Sequence, residues 1–324
     1  MQILKNFTTT LLVSFMAVNV AIAEPKAPKP VMSAASQSPG SLYVTYIASW
    51  IGVVSKAFDG LTISQGPGGA AQNIMLVNKG GADFGITNGP QAYAARYGLG
   101  WAKGKTYTNF VALHPAYPSS MAIFTRADSN IKTIADLAGK QVGVGQPGSG
   151  SDVVSGQLFK HLAIKPARTV KGNWNDMSGM LKDGLVDAIF YLAGHPAGFI
   201  QELQIGHELR FITVADKEIN SFLKAYPYYG KTMLKNGLYN GIKSEIPTVV
   251  QMNLIISDPK LPDDFVTKLL EAVYGSVDKM AAVHPNFANT SFPNVANIPV
   301  PFHPAAVRFY EKNKVAMNVP PPPK

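Results

Sequence analysis

The stretch 145-GQPGSGSD-152 is where residue types and spacing come closest to recognisable chemistry. Three uses are open to a glycine and serine loop that follows an apolar run and precedes a helical pattern. A phosphate-gripping loop needs Lys and then Ser or Thr after its last glycine, and those places hold Ser151 and Asp152, so the cation for the phosphates is missing. A serine nucleophile's elbow needs glycines two residues either side of the serine, a pattern found nowhere in the chain. The third use is a helix start whose free N–H groups and partial positive charge receive an anion, with Ser149 or Ser151 as cap or donor.

Two more segments, 66-GPGGAAQN-73 and 39-PGS-41, also deliver glycine to a helix start. One contact between a charge and a helix N-terminus contributes about 0.3–1 kcal/mol when exposed and up to roughly 2 when partly buried. Several such ends converging on one cleft can hold a carboxylate without arginine. Metal is a poorer reading. Four of the six histidines precede proline (His114, His195, His284 and His303), which favours extended backbone, and no H-E-x-x-H pair, cysteine or spaced acidic cluster accompanies them. No catalytic residue, metal or cofactor is expected.

The elements that must position these loops form a repeat. In the first copy a short apolar run ends at 39-PGS-41, and Tyr43, Ile47, Trp50, Val54 and Phe58 then mark a helix face. The strand 61–64, a helix over 70–78 and the strand 82–87 follow. In the second copy 141-QVGVG-145 is the strand and 147-PGS-149 the turn. A helix carrying Val154, Leu158, His161 and Leu162, a strand at 168–171, a helix over 175–183 and the strand 186–192 complete it. Each copy leaves its second helix through glycine and enters the next strand with an Asp, Asp83 or Asp187, read as local structure. Two such units imply two α/β lobes with largely parallel sheets, and ligands bind beyond the carboxyl ends of such strands. The apolar segments 121–125 and 249–257 are read as two chain crossings between the lobes. Thr87, Asn88, Phe190 and Tyr191 lie at strand ends facing the cleft, and Trp174 is placed as an aromatic lid or floor.

Composition sets the frame. The chain has 324 residues, no cysteine and a formal charge of +9 spread without a run of like charges, which gives nucleic-acid binding little support. Residues 1–23 read as a cleavable signal peptide: Lys5, an apolar stretch from Leu11, and Ala21-Ile22-Ala23 before the cut after Ala23. The expected product is a periplasmic monomer. Its expected parts are a linker at 24–30, a first lobe at 31–125 and 252–317, a second lobe at 126–251, and a disordered tail at 318–324.

An ordered set of segments, 68-GGAAQN-73, 80-GGADFGITN-88, 133-TIADLAGKQVGVGQPGSGS-151, 184-GLVDAIFY-191, 194-GHPAGFIQEL-203 and 301-PFHPAAVRFYEK-312, resembles the TAXI-type solute receptors of tripartite ATP-independent periplasmic (TRAP) transporters. The resemblance implies the two-lobed type II periplasmic binding protein fold. It implies delivery of a small carboxylate, such as glutamate or 2-oxoglutarate, to the membrane permease subunits of a TRAP transporter. By position it implies ligand contacts at Gly69, Ala70, Asn73, Asn88, Ser149, Gly150, Ser151, Trp174 and Tyr191. Ser41, Tyr43 and Gln146 complete the candidate set. The opening segment 39-PGSLYVTYIAS-49 departs from the family's usual Gly-Gly-Thr-Tyr-Tyr-Pro, which bears on ligand identity, and Ala305 stands where glycine is usual. Rival readings are an enzyme on the same fold, such as a periplasmic transferase, and a sensory or adhesive protein.

Overall fold

The computed structural model describes residues 24–37 and 41–323, so the expected signal peptide, together with Pro39 and Gly40 of the first turn, lies outside the described residues. The first unit runs β1 (Val31–Ala35), α1 (Leu42–Ala57), β2 (Thr62–Gly66), α2 (Ala70–Asn78) and β3 (Phe84–Asn88), followed by α3 (Gly89–Tyr97). A long strand, β4 (Val111–Arg126), leads to the second unit: β5 (Gln141–Gly143), α4 (Gly150–His161), β6 (Arg168–Val170), α5 (Trp174–Lys182) and β7 (Ala188–Ala193). Then come α6 (Gly198–Leu203), β8 (Leu209–Phe211), α7 (Asp216–Ala225), β9 (Gly230–Leu234) and the second long strand, β10 (Ile246–Ser257). The chain closes with α8 (Asp263–Tyr274), α9 (Val277–Val283) and α10 (Pro304–Lys312).

The sheet order β2-β1-β3-β10-β4-β7-β5-β6 carries the repeat in its ends. In each unit the first strand lies between the other two and is parallel to both. The two Asp residues perform one task twice. Asp83 accepts from the Ser33 N–H at 2.8 Å, and Asp187 accepts from the Gln141 N–H at 2.7 Å, each clipping the third strand to the first. Both are structural, as their place after the helix-ending glycine implies.

The crossings are β4 and β10, which pair antiparallel with each other and serve both halves. β4 meets β10 along 111–120 and β7 along 120–124, whereas β10 meets β3 along 253–257 and β9 along 246–250. The first crossing is much longer than the 121–125 read from the sequence. Pro115 and Pro118 break the strand signal, because proline donates no ladder hydrogen bond. The ladder absorbs them next to a register shift between Met252 and Leu254.

One apolar core, around Trp50, Phe84, Phe110, Phe265 and Tyr310, collects residues 32–117 and 252–310. Two others, around Phe190 and Phe222 and around Phe124 and Phe211, collect residues from 121 to 249. The 24–30 spacer lies on the first: Lys29 pairs with Asp83 at 2.8 Å and Ala27 packs on the core. Among the described residues no helix is long and apolar enough to cross a membrane.

Candidate functional site

The α4 start is braced by its own first turn and by the end of β7. Ser149 caps it, accepting from the Asp152 N–H at 3.2 Å, and the Asp152 carboxylate accepts from the Gly148 N–H and from Lys171, each at 2.9 Å. Asp152 therefore complements the positive helix end while Lys171 offsets its charge. The buried Ser151 hydroxyl accepts from the Leu192 N–H at 2.8 Å, tying the helix start to the end of β7. The amides of Gly150 and Ser151 have no hydrogen-bond partner among the described residues.

Behind this loop stands an aromatic wall. Trp174, the first residue of α5, stacks on Phe199 with ring centroids 5.6 Å apart and meets Tyr191 edge-on at 4.9 Å. Gly145 is required beneath it: its φ is +80°, and a Cβ there would lie 2.6 Å from the Trp174 ring.

The opposite wall comes from the first lobe and the crossings. The Gln91 amide, in the first turn of α3, donates to the Gly148 carbonyl at 3.2 Å, and its Oε1 is buried without a partner among the described residues. Gln251 of β10 reaches the same loop, with its Nε2 2.8 Å from where a Cβ on Gly150 would stand. Beside it, the Tyr43 hydroxyl donates to Asn253 Oδ1 at 2.8 Å, and the Asn253 amide donates to the Tyr117 carbonyl and the Ser119 hydroxyl, both at 2.8 Å. Asn88 caps α3 by accepting from the Gln91 N–H, and its amide lies beside the Tyr43 phenol. Gly194, just after β7, closes the ring: a Cβ there would sit 2.6 Å from both Leu42 of α1 and Asn286.

Burial raises the phenol pKa of Tyr43, Tyr117 and Tyr191, so all three remain O–H donors at neutral pH. His195 adjoins the cluster as a neutral ring, its pKa pushed down by burial to about 4. Its Nε2–H donates to the Ser120 carbonyl at 3.0 Å, and its Nδ1 accepts from the Tyr239 hydroxyl at 2.7 Å. Among the described residues the cluster is polar and uncharged, built of amides, phenols and hydroxyls.

The structure thus brings Tyr43, Asn88, Ser149, Gly150, Ser151, Trp174 and Tyr191 around the β4–β10 ribbon. It uses the other candidates elsewhere. Asn73 is fully buried: its amide donates to the carbonyls of Ser36 and Ile86, and its Oδ1 accepts from the Gly69 N–H. The Ala70 carbonyl accepts from Thr87, so the hydrogen bonds of Gly69, Ala70 and Asn73 stay inside the first lobe. Ser41 caps α1 and donates to Gln37, and Gln146 is exposed, its carbonyl accepting from the Ser149 N–H. The closing segment is also scaffold, with the Tyr310 hydroxyl donating to the Leu113 carbonyl in the first core.

Gln91, Tyr117, Ser119, Gln251 and Asn253 were not read from the sequence. A signal existed for two of them. Gln251 and Asn253 are polar positions two apart in the otherwise apolar 249-VVQMNLIIS-257, which places both on one face of a strand. Cavities of about 290 Å³ beside Gln201 and Tyr239, and of about 420 Å³ beside Tyr228 and Asn297, are lined by none of the candidate residues. The candidates are drawn against one another instead, with Gln91 bonded directly across to Gly148. Among the described residues no three His, Cys, Asp or Glu side chains are grouped to hold a metal ion.

Two α/β lobes on a shared pair of crossing strands, with the polar cluster between them, define the two-lobed architecture of periplasmic binding proteins. The chain belongs to the NMT1-like family, whose model matches residues 34–313. MatC from Rhodopseudomonas palustris, solved with bound malate, is similar in fold, with a TM-score of 0.53 at 14% identity over 79% of this chain and 88% of that one. A TctC solute binding protein from Polaromonas, solved without ligand, gives 0.53 at 14% identity over 81% and 88%. The periplasmic binding protein BugD gives 0.53 at 13% over 89% and 98%.

Proposed function

We propose that the protein is a non-catalytic periplasmic solute receptor that captures a small carboxylate between its lobes. The observation carrying this reading is the α4 start, where the unpartnered Gly150 and Ser151 amides lie against Gln91 and Gln251 of the opposing wall. The neutral Tyr117 phenol, which makes no hydrogen bond among the described residues, supplies a further donor, and Trp174 supplies an apolar face for the carbon skeleton. A ligand bonded to both walls stabilises the closed lobes over the open ones and so shifts that equilibrium. The closed form is then recognised by membrane permease subunits. The resemblance to TAXI-type receptors favours a TRAP-type secondary transporter as the partner, and malate bound to MatC is consistent with a small organic acid.

Thermal melts of the chain from Glu24 onward, against a panel of mono- and dicarboxylates with matched neutral amides, test the reading. A ligand at 100 times its Kd stabilises by about 2.7 kcal/mol. The expected result is a raised melting temperature with at least one carboxylate and none with its amide. Equal response to both, or no response across the panel, sinks the proposal.

A further inference from the structure

The proline-rich tail touches none of the candidate carboxylate-site residues; it is bonded to α3 of the first lobe and borders a cavity that the second lobe also lines. After α10 the chain turns back, with the Val315 N–H donating to the Tyr310 carbonyl and Val315 and Met317 packed on the first core. Asn318 and Pro320 then line the 420 Å³ cavity together with Tyr228, Lys231, Val250 and Met252. Val250 and Met252 alternate along β10 with Gln251 and Asn253, so this cavity lies on the reverse face of the crossing ribbon from the carboxylate site. Finally, the Tyr93 hydroxyl of α3 donates to the Pro321 carbonyl at 3.0 Å.

Tyr93 also makes a contact between the lobes. Its ring lies 4.7 Å from Tyr97 on its own helix and 4.9 Å from Tyr228 of the other lobe. Tyr228 in turn accepts from Gln157, two turns along α4 from the glycine loop, and burial pushes its phenol pKa up to about 12, so it stays protonated. A run of prolines suits such a surface. Its polyproline helix is extended before docking, so ordering it costs little entropy, and its carbonyls are free to accept because no internal hydrogen bond uses them.

We propose that Tyr93, Tyr97 and Tyr228 form a groove for a polyproline segment, filled by the chain's own residues 319–323, and that this docking holds α3 and α4 together and favours closed lobes. The idea needs only the two-lobed fold and is independent of which solute binds. The tail is a strap on the back of the hinge, opposite the face that grips ligand.

The absence of cysteine allows clean labelling at introduced pairs. Spin labels at K79C and K182C, exposed positions on the two lobes, report the inter-lobe distance without ligand in the full chain, in a chain ending at Asn318, and in Tyr93→Phe. Losing a hydrogen bond and its packing is expected to raise the ratio of open to closed molecules by about fivefold or more. Millimolar VPPPPK peptide should restore the short distance in the truncated chain. Identical distance distributions in the full and truncated chains overturn the proposal. So does a truncated chain that opens but ignores the peptide. Should truncation prevent folding, a Tyr93→Phe distribution matching that of the full chain overturns it on its own. A shift in these distances with no carboxylate response in thermal melts would leave the strap standing and remove the solute reading.

Discussion

The two glycine loops that begin α2 and α4 hold different places in the repeat, since α4 is the first helix of its unit and α2 the second of its own, and they are braced in different ways. In the first, Asn73 folds back over Gly68 and Gly69, and its three hydrogen bonds spend the whole side chain on the lobe's own backbone. A Cβ on Gly68 would overlap Asn73, so the loop is closed by packing. In the second, Ser149 and Asp152 brace the loop from the helix's own first turn and Ser151 ties it to the end of β7, and the Gly150 and Ser151 amides stay unpartnered among the described residues. The two units hence share a strand order and an Asp clip while their glycine-bearing helix starts are braced differently. What differs is whether a side chain reaching neighbouring strands or the helix's own cap supplies the hydrogen bonds.

The sharpest break in this comparison is expected from the two tryptophans. Trp50 is fully buried in the first core and donates to His114 at 2.9 Å, so Trp50→Ala should cost about 3–5 kcal/mol in chemical denaturation. Trp174 is half-buried at the proposed site, so Trp174→Ala should cost about 1 kcal/mol or less in stability, yet weaken ligand binding at least tenfold by titration. Comparable stability losses at both positions would mean that the second lobe's tryptophan is core.

Acid should act next. Burial pushes His114 and His195 down to about 4, below the ordinary 6.5 they regain on unfolding. The unfolded chain then binds protons more readily, so the stability from burying neutral imidazole is whole above about pH 6.5 and is lost as pH falls from there toward 4. A loss of a few kcal/mol between pH 7 and 5 is expected in denaturant titrations, followed by Trp50 and Trp174 fluorescence in single-tryptophan variants. His195→Asn should flatten the slope reported by Trp174 more than that reported by Trp50. Equal slopes before and after the change would remove His195 from the account.

The Asp clips give the next smaller test. Asp187→Ala and Asp83→Ala each remove a charged acceptor from a strand N–H, and each should cost about 1–3 kcal/mol. Asp83 also faces Lys29, a half-exposed pair that adds little. Near-equal losses would support one device used twice; a neutral result at either would show that water replaces the clip there. The smallest stability effect is expected at Gly150→Ala. The new Cβ meets only side-chain ends, Gln251 Nε2 at 2.8 Å and Leu192 Cδ2 at 3.3 Å, which need to shift slightly, so melting temperature should stay close to wild type while carboxylate binding falls. An unchanged affinity would place the guest elsewhere.

Much of the scaffold was legible. The α2 bounds agree with the periodicity of 70–78, and the Asp residues after the helix-ending glycines do the structural work that their position implied. Trp174 was visible as a helix-start aromatic next to the cleft. The crossing strand β4 was legible only in part, because Pro115 and Pro118 mimic a break that the neighbouring register shift absorbs. The helices α3 and α6 to α10 were not assigned by reading periodicity. Gln91, Tyr117 and Ser119 carried no pattern of their own, since an isolated polar residue looks the same facing water as facing a neighbouring lobe.

Local spacing by itself determined the helices and strands of the two repeated units, that these units are similar, and that three glycine-bearing helix starts exist. Those are short-range matters of period and turn chemistry, settled within a dozen residues. Only the tertiary structure decided which of those helix starts meets the opposing wall: the α4 loop meets Gln91 and Gln251, whereas the Asn73 side chain ties the α2 loop to its own lobe. It also decided that Tyr43, Tyr117, Tyr191 and Asn253 meet between the lobes. The physical reason is that a hydrogen-bond donor is free or spent according to what distant parts of the chain bring to it, and Tyr43 and Asn253 are 210 residues apart.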